Sequence, residues 1–523
     1  MNSALRSKGV CVARSIREMF GRAQEKKPKE YELDAEGNFA VQRTDWRSIY
    51  IGAFVAFIGS VHTHCISPVL WPFMKFAIPG VSENYYGMLQ SLSSLAIAIT
   101  GILAGYTSNL LKDTKWPMVF GKVMAIASCI LYLCIERMDV EGRKVAFALF
   151  EFTLGVSVGA AGIYRAHVAM TSTEEDRPKA IGICSLAPAI GIFLGPLAQV
   201  GFAGLKYPGI PIGAGLHLNL YTAPVVLTIV ISAIGAFLLV FFFDGRMRRY
   251  KKVVPSVKIL DDECSTSSST SITVETKYDW VAVALCLYTK MLLNLVVVSF
   301  SAIGIPYCMA AFGWSSQEAV LYISIVMGLV GVNIVVWNLV YIFFNLRQRL
   351  SERRAMIIAL VFFLVAYLLS YPWPFLSETI PYAKPSGVNA TVGFPATELV
   401  GCNPEFAWCA TTPRVNMWLF LGSLITTIGF AMPLSQINLD LLFSKVLGDI
   451  KQGTMQGSMI VAGELMSIVG PIALTRVYTA SGPTYIWQFE IAVIISSLVL
   501  WLVFYGRMVG KSQRLAYGMK QFK

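Results

Sequence analysis

The sequence predicts an all-α integral membrane fold of about twelve transmembrane helices in two six-helix bundles. Three observations predict it. Long apolar stretches recur along nearly the whole chain, basic residues gather in the connections of one side, and landmarks of the first half return in the second at matching offsets. A helix needs roughly 20 residues to cross a hydrocarbon core, and the segments 49–73 and 486–505 are the first and last of that length. With 523 residues, 55% hydrophobic side chains, 14% charged ones and a positive mean hydropathy, the chain is not a soluble globular enzyme.

In chain order the spans fall at 47–74, 85–109, 117–134, 145–171, 180–205, 221–243, 280–312, 317–344, 355–371, 415–443, 454–478 and 485–505. The net charge of +12 would suggest nucleic acid in a soluble protein. Its placement gives a better explanation. With both termini cytosolic, the cytosolic segments receive the tail residues Arg14 to Arg47, then Lys112 and Lys115, Arg177 and Lys179, Arg246 to Lys252, Arg347 to Arg354, Lys445 and Lys451, and Arg507 to Arg514. The opposite side keeps mainly Arg137, Arg143, Lys144, Lys206, Lys384 and Arg414. This is the positive-inside pattern, and it excludes nucleic acid as the reason for the charge. The polar stretch from Cys264 to Thr276 cannot bury enough apolar surface to fold.

The expected organisation is therefore a cytosolic basic tail (1–46), an N-terminal bundle (47–243), a flexible cytosolic linker (244–279), a C-terminal bundle (280–506) with a luminal loop (372–414), and a cytosolic tail (507–523). No cleavable signal peptide precedes the first span, which must serve as the signal. The luminal loop carries the glycosylation sequon Asn389-Ala390-Thr391. It also holds Cys402 and Cys409, close enough in sequence to close a small disulfide loop in an oxidising lumen. A chance sequon and two free thiols are the alternative.

The halves repeat. The first span ends at Pro72 before Ser82-Glu83, and the seventh ends at Pro306 before Ser316-Gln317-Glu318; Gly195-Pro196 and Gly470-Pro471 follow Asp176-Arg177 and Asp449-Ile450-Lys451 at similar offsets. Two parallel halves with a long cytosolic linker suit a rocking secondary transporter with its site at mid-membrane. Gly191-Ile192-Phe193-Leu194-Gly195-Pro196 resembles the Gly-x-x-x-Gly-Pro motif of the major facilitator superfamily. Glycines four apart allow close helix approach, and the proline removes a backbone donor. The family's loop motif survives only as Gly105, Asp113 and Lys115. Tyr164-Arg165, the run Thr173 to Ala180, and Ser444 to Gly448 before Gln452-Gly453 look most like the lysosomal branch linked to neuronal ceroid lipofuscinosis. That resemblance implies an endolysosomal membrane protein, with chloride conduction proposed for the branch.

Ionisable residues inside spans are costly and mark solute pathways unless paired or snorkelling. Lys290 lies about ten residues, roughly 15 Å, into the seventh span, and Glu464 lies at a similar depth in the eleventh. They are expected to pair in one state and to exchange partners in another, or else to lock two helices; Asn294 shares the helical face of Lys290. In the first half Arg165 and His167 sit in the fourth span and His62 and His64 in the first, with at most one of the latter two facing the cavity. Arg165 is an anion attractor or a snorkelling residue, and the histidines are proton couplers or hydrogen-bonded helix residues. Glu151 and Asp440, near span ends, rank lower because they are easier to hydrate. There is no Walker loop, zinc-ligand pattern or nucleophile triad, so neither catalysis nor a cofactor is expected. The expectation is an alternating-access carrier of a small anionic or zwitterionic solute, with protons as a coupling ion. A chloride channel on the same fold and a non-transporting receptor or scaffold are its rivals.

Overall fold

In the computed structural model, several helices begin at a capping side chain. The Asp45 carboxylate accepts from the Ser48 amide to open α1 (Trp46–Ala77), and the Ser82 hydroxyl accepts from Tyr85 to open α2 (Glu83–Leu111). In the second half Asp279 caps α8 (Trp280–Phe312), and Asn416 caps α11 (Met417–Leu447). Each cap satisfies backbone donors that have no partner inside the helix. The remaining helices are α3 (Lys115–Cys134), α4 (Val140–Ala161), α5 (Tyr164–Thr171), α6 (Arg177–Phe202), α7 (Ala223–Phe242), α9 (Ser316–Phe343), α10 (Glu352–Leu369), α12 (Gln452–Ser481) and α13 (Pro483–Val503). The structure describes residues 31–33, 39–41, 44–173, 176–213, 216–246, 279–343, 350–387, 397–447 and 452–509. Asn389 and most of the linker lie outside them.

Among the described residues eleven helices are long and apolar enough to cross a membrane, with α4 and the start of α5 counted as one crossing. The 18-residue α10 supplies the twelfth, and its first turn holds Glu352, Arg353 and Arg354. Three spans are not plain α-helices. The fourth breaks in a turn at Gly162 and Ile163 between α4 and α5. Two others contain π-turns, Phe300–Gly304 in α8 and Thr427–Ala431 in α11.

Apolar burial divides the molecule into a closed end and an open end. At the end where α1 finishes and α2 starts, one hydrophobic core runs through both halves, from Trp71, Phe73, Tyr132 and Phe147 to Tyr307, Phe312, Tyr478 and Trp487. At the other end there are two separate cores. One holds Ile49, Tyr164, Cys184 and Phe243 of the first half, and the other holds Cys286, Phe363, Phe443 and Trp501 of the second. Direct contacts between halves gather toward the closed end. Asn84 Nδ2 donates to Thr479 Oγ1 at 3.2 Å, Gln90 Nε2 donates to Ser301 O at 2.9 Å, and Ser316 Oγ donates to Pro72 O at 3.4 Å.

Two connections differ from the sequence expectation or add to it. Residues 244–246, read as the start of the linker, instead pair with the α2–α3 loop: Thr114 N donates to Gly245 O at 2.8 Å, and Asp113 forms a bridge with Arg246. Gly245 is required there, since a Cβ would stand 2.1 Å from Asp113 Oδ1. The retained Asp113 and Lys115 thus tie α3 to the end of α7, where Lys115 Nζ donates to Val240 O at 2.5 Å. In the loop 372–414, strands β1 (Lys384–Gly387) and β2 (Thr397–Val400) pair antiparallel, and Cys402 and Cys409 are disulfide-bonded with Cα atoms 6.4 Å apart. The small loop so formed sets Trp408 against Gly482, whose φ of +77° and lack of Cβ both suit that contact.

Gly87 tests the closed end. A Cβ there would stand 2.4 Å from Thr475 Oγ1 and 2.7 Å from Pro471 O of α12, whereas one at Gly182 of α6 would meet open space. Gly87→Ala is expected to cost about 1–3 kcal/mol of packing, less the gain in helix propensity, and to lower the melting temperature in detergent. Gly182→Ala, which gains only propensity, should hold or raise it.

Candidate functional site

Four charged residues gather on the side of the separate cores. On α8, Lys290 Nζ donates to Gln436 Oε1 of α11 at 2.5 Å and stands 4.0 Å from Asp440 Oδ1, one turn further along α11. The lysine side chain is 17% exposed and that of Asp440 58%, so the pair opens to water on the carboxylate side. Asp440 also lies within electrostatic reach of Arg165, which is exposed on α5 just past the break in the fourth span. The break therefore places a first-half guanidinium opposite the second-half pair.

Lys290 and Glu464 do not form the ion pair expected from their matching depth. Among the described residues Glu464 has no ion-pair partner, although it is half-buried and within electrostatic reach of Lys290. The physical reason lies in side-chain length. A lysine stem extends along an apolar wall toward water, and α11 offers an amide and a carboxylate on one face in that direction. Depth along the helix axis located the α-carbons but not the ammonium. The Gln436-Ile437-Asn438-Leu439-Asp440 spacing, two polar groups four apart, was the signal available in the sequence.

Asn294 stays near this group. Its Nδ2 donates to Ser467 Oγ of α12 at 3.3 Å and packs over Gly463, where a Cβ would stand 3.0 Å from it. Gly463 and Asn294 thus let α8 and α12 cross closely beside Glu464.

The three histidines lie elsewhere, packed within the first half. His62 is buried with Nδ1 3.4 Å from Ser232 Oγ and Nε2 3.6 Å from Cys129 Sγ. Beside it Lys122, a buried lysine of α3 that sequence reasoning passed over, fits against Gly59 and Gly235. His64 hydrogen-bonds Ser60 O through Nδ1 at 2.8 Å, and His167 meets Thr114 Oγ1 at 2.8 Å with its ring 4.7 Å from Phe243. The glycine motif is a packing surface. A Cβ at Gly191 would stand 2.5 Å from Ser60 Cβ, and one at Gly195 2.9 Å from Cys65 N, so α6 rests directly on α1. Pro196 lies inside α6 just beyond. Gly470 meets Val298 of α8 in the same manner, and the Pro471 carbonyl accepts from Thr475 Oγ1 at 2.7 Å.

Comparison with known proteins agrees with this architecture. Residues 49–471 match the family model described as Major Facilitator Superfamily. Major facilitator superfamily domain-containing protein 8 of Xenopus laevis is 24% identical over 489 residues, which cover 90% of this chain and 93% of that protein. Multidrug resistance protein 2 of Bacillus subtilis (strain 168) is 32% identical over 167 residues, 31% of this chain and 38% of that protein. Among solved structures, the inward open conformation of the xylose transporter XylE from E. coli has a TM-score of 0.59 at 12% identity, covering 87% of this chain and 95% of its own. The peptide transporter POT in complex with sulfate gives 0.58 at 14% identity, covering 90% and 96%.

The exposure of Asp440 sets the strength of the Lys290 pair. In a double-mutant cycle of Lys290→Met and Asp440→Asn, the coupling should be about 0–1 kcal/mol, as for hydrated pairs. Unfolding in mixed micelles measures it; a coupling of about 3–5 kcal/mol would instead mark a desolvated structural lock.

Proposed function

This chain belongs to the major facilitator superfamily, and on that premise we propose that it is an alternating-access carrier of a small anionic or zwitterionic solute in an endolysosomal membrane. The observation that carries the reading is the group formed by Arg165, Lys290, Asp440 and Glu464 at the floor of the open end. Two cations and two carboxylates drawn from both halves, only loosely paired, offer a charged solute partners without leaving a bare charge behind when it departs. A solute carboxylate bound by Arg165 and Lys290 would release Asp440, and a solute ammonium would take up that carboxylate in turn. Glu464, without an ion-pair partner among the described residues, is the group assigned to proton exchange. Gln436 and Asn294 orient the lysine and the α8–α12 crossing.

The same reading puts the open end on the cytosolic side with both termini, and the disulfide-bearing loop and Asn389 in the lumen. Its support is the distribution of basic residues, concentrated in the connections of the open end. Arg165 and Lys290 are the solute-binding cations. The histidines, by their packing, are structural.

Purified protein in liposomes, loaded with a panel of labelled amino acids and organic anions and recorded for flux and current together, tests the proposal. Uptake should accelerate when the same solute is present on the far side. Arg165→Gln and Lys290→Gln should each lower exchange by about tenfold, the equivalent of 1.4 kcal/mol of lost binding, while Glu464→Gln should flatten its pH dependence. An uncoupled chloride current without counter-solute acceleration, or silence in both readouts, would overturn alternating access.

A further inference from the structure

A second polar site lies in the C-terminal half, away from the charged group and toward the closed end. A pocket of about 60 Å³ is walled by Ser299, Ile303, Tyr367, Ser370, Thr427 and Trp487, and both π-turns contribute to it. At roughly 10–15 Å³ per water it has room for a few molecules. Beside it Glu490 of α13 is fully buried. Ser299 Oγ donates to its Oε1, and the Tyr367 hydroxyl is a second hydrogen-bonding neighbour of the carboxyl. α13 packs against α8, α10 and α12. The titratable group these elements turn toward Glu490 is Tyr367 of α10; α8 contributes Ser299, and among the described residues no cation forms an ion pair with the carboxyl.

An ionised carboxylate in this setting is buried without a paired cation, and Ser299 and Tyr367 offset only part of its loss of hydration. A proton on the carboxyl removes the charge, and Ser299 and Tyr367, which touch it, are the pocket's wall on that side. Ser299 immediately precedes the π-turn Phe300–Gly304. Within that turn Ser301 makes a two-point contact across the halves, its carbonyl accepting from Gln90 Nε2 at 2.9 Å and its hydroxyl donating to Gln90 Oε1 at 3.1 Å. Glu490, Ser299, the π-turn and Gln90 form one continuous series of bonded groups. A π-turn holds one residue more than an α-turn, so it can slide along its helix without breaking the remaining ladder.

We propose that Glu490 is a proton-binding site, remote from the solute group, whose proton holds the α8 π-turn in the register that closes the two halves together at Gln90. Loss of the proton places a charge beside Ser299, draws water into the pocket and shifts the turn, weakening the Ser301–Gln90 contact.

Infrared difference spectra of the full chain in liposomes, taken between acidic and alkaline pH, test the site. The wild type should show a protonated-carboxyl band that Glu490→Gln removes and Ser299→Ala shifts in frequency. Spectra that are identical in wild type and Glu490→Gln would overturn the proposal; if that variant fails to reach the membrane, a band unmoved by Ser299→Ala would do so. For the linkage, Asn84→Cys and Thr479→Cys are joined by a bifunctional thiol reagent across the closed end. Cross-linking should fall as pH rises, and with Glu490→Gln added it should stay high at every pH. The same pH profile in both backgrounds would overturn it.

Discussion

The two halves share a single hydrophobic core at one end of the membrane and keep separate cores at the other, and Lys290, Asp440, Arg165 and Glu464 lie toward the separated end. Trp71, Phe73 and Tyr132 of the first half and Tyr307, Phe312 and Trp487 of the second belong to one packed cluster, which joins the halves at the closed end. Beyond it the apolar clusters of Tyr164 and of Phe443 no longer meet. A charge in the first region needs a buried partner, whereas a charge at the boundary can be hydrated from the open end. Lys290, Asp440, Arg165 and Glu464 stand on that open side, among the separate cores.

Departures from regular helix are concentrated in the same helices. The fourth span breaks immediately before Tyr164, whose hydroxyl donates to Ile49 O at 2.7 Å and whose ring fills the space left by Gly52; the following residue, Arg165, is thereby exposed. α8 carries Lys290 before its π-turn, and α11 carries Gln436 and Asp440 after its own. In a bilayer, a backbone irregularity survives only where neighbouring groups satisfy it. In one π-turn the Ser301 carbonyl accepts from Gln90 Nε2, and at the start of the other Thr427 Oγ1 donates to the Ser423 carbonyl.

The number and order of the crossings were legible in the sequence because bilayer thickness leaves little freedom: about 20 apolar residues read as one helix. The glycine motif was legible as close packing for the same kind of reason, since a residue without Cβ has few other uses in a helix. The charge partners were not. Lys290 and Glu464 were matched by depth along their helices, but depth does not say where a long flexible stem carries the ammonium, here to Gln436 and Asp440. Lys122 and Glu490 were passed over for a related reason. Each sits in a span whose apolar run masks a single charge, and the burial of each depends on helices far away in sequence. The break at Gly162 and the two π-turns left no signal beyond ordinary small and β-branched residues.

The looseness of the charged group is itself informative. Were Lys290 and Asp440 both fully buried, their separation would leave two uncompensated charges and cost several kcal/mol, and the pair would hold one conformation. With the carboxylate 58% exposed, water can replace either partner at small cost, and a solute can replace the water. Rigidity is supplied elsewhere. Gly191 and Gly195 seat α6 on α1, the Asp113–Arg246 bridge ties α3 to α7, and Trp408 of the disulfide-bonded loop covers Gly482 between α12 and α13. Each half is thus fixed internally by close packing, while the contacts between halves near Asn84, Gln90 and Ser316 rest on a few neutral hydrogen bonds of about 0.5–1.5 kcal/mol each, added to the shared apolar core. Glycines also seat the halves on each other, Gly87 against Pro471 and Thr475 and Gly331 against Phe193, so rocking of the bundles must slide these close contacts as well as the polar ones.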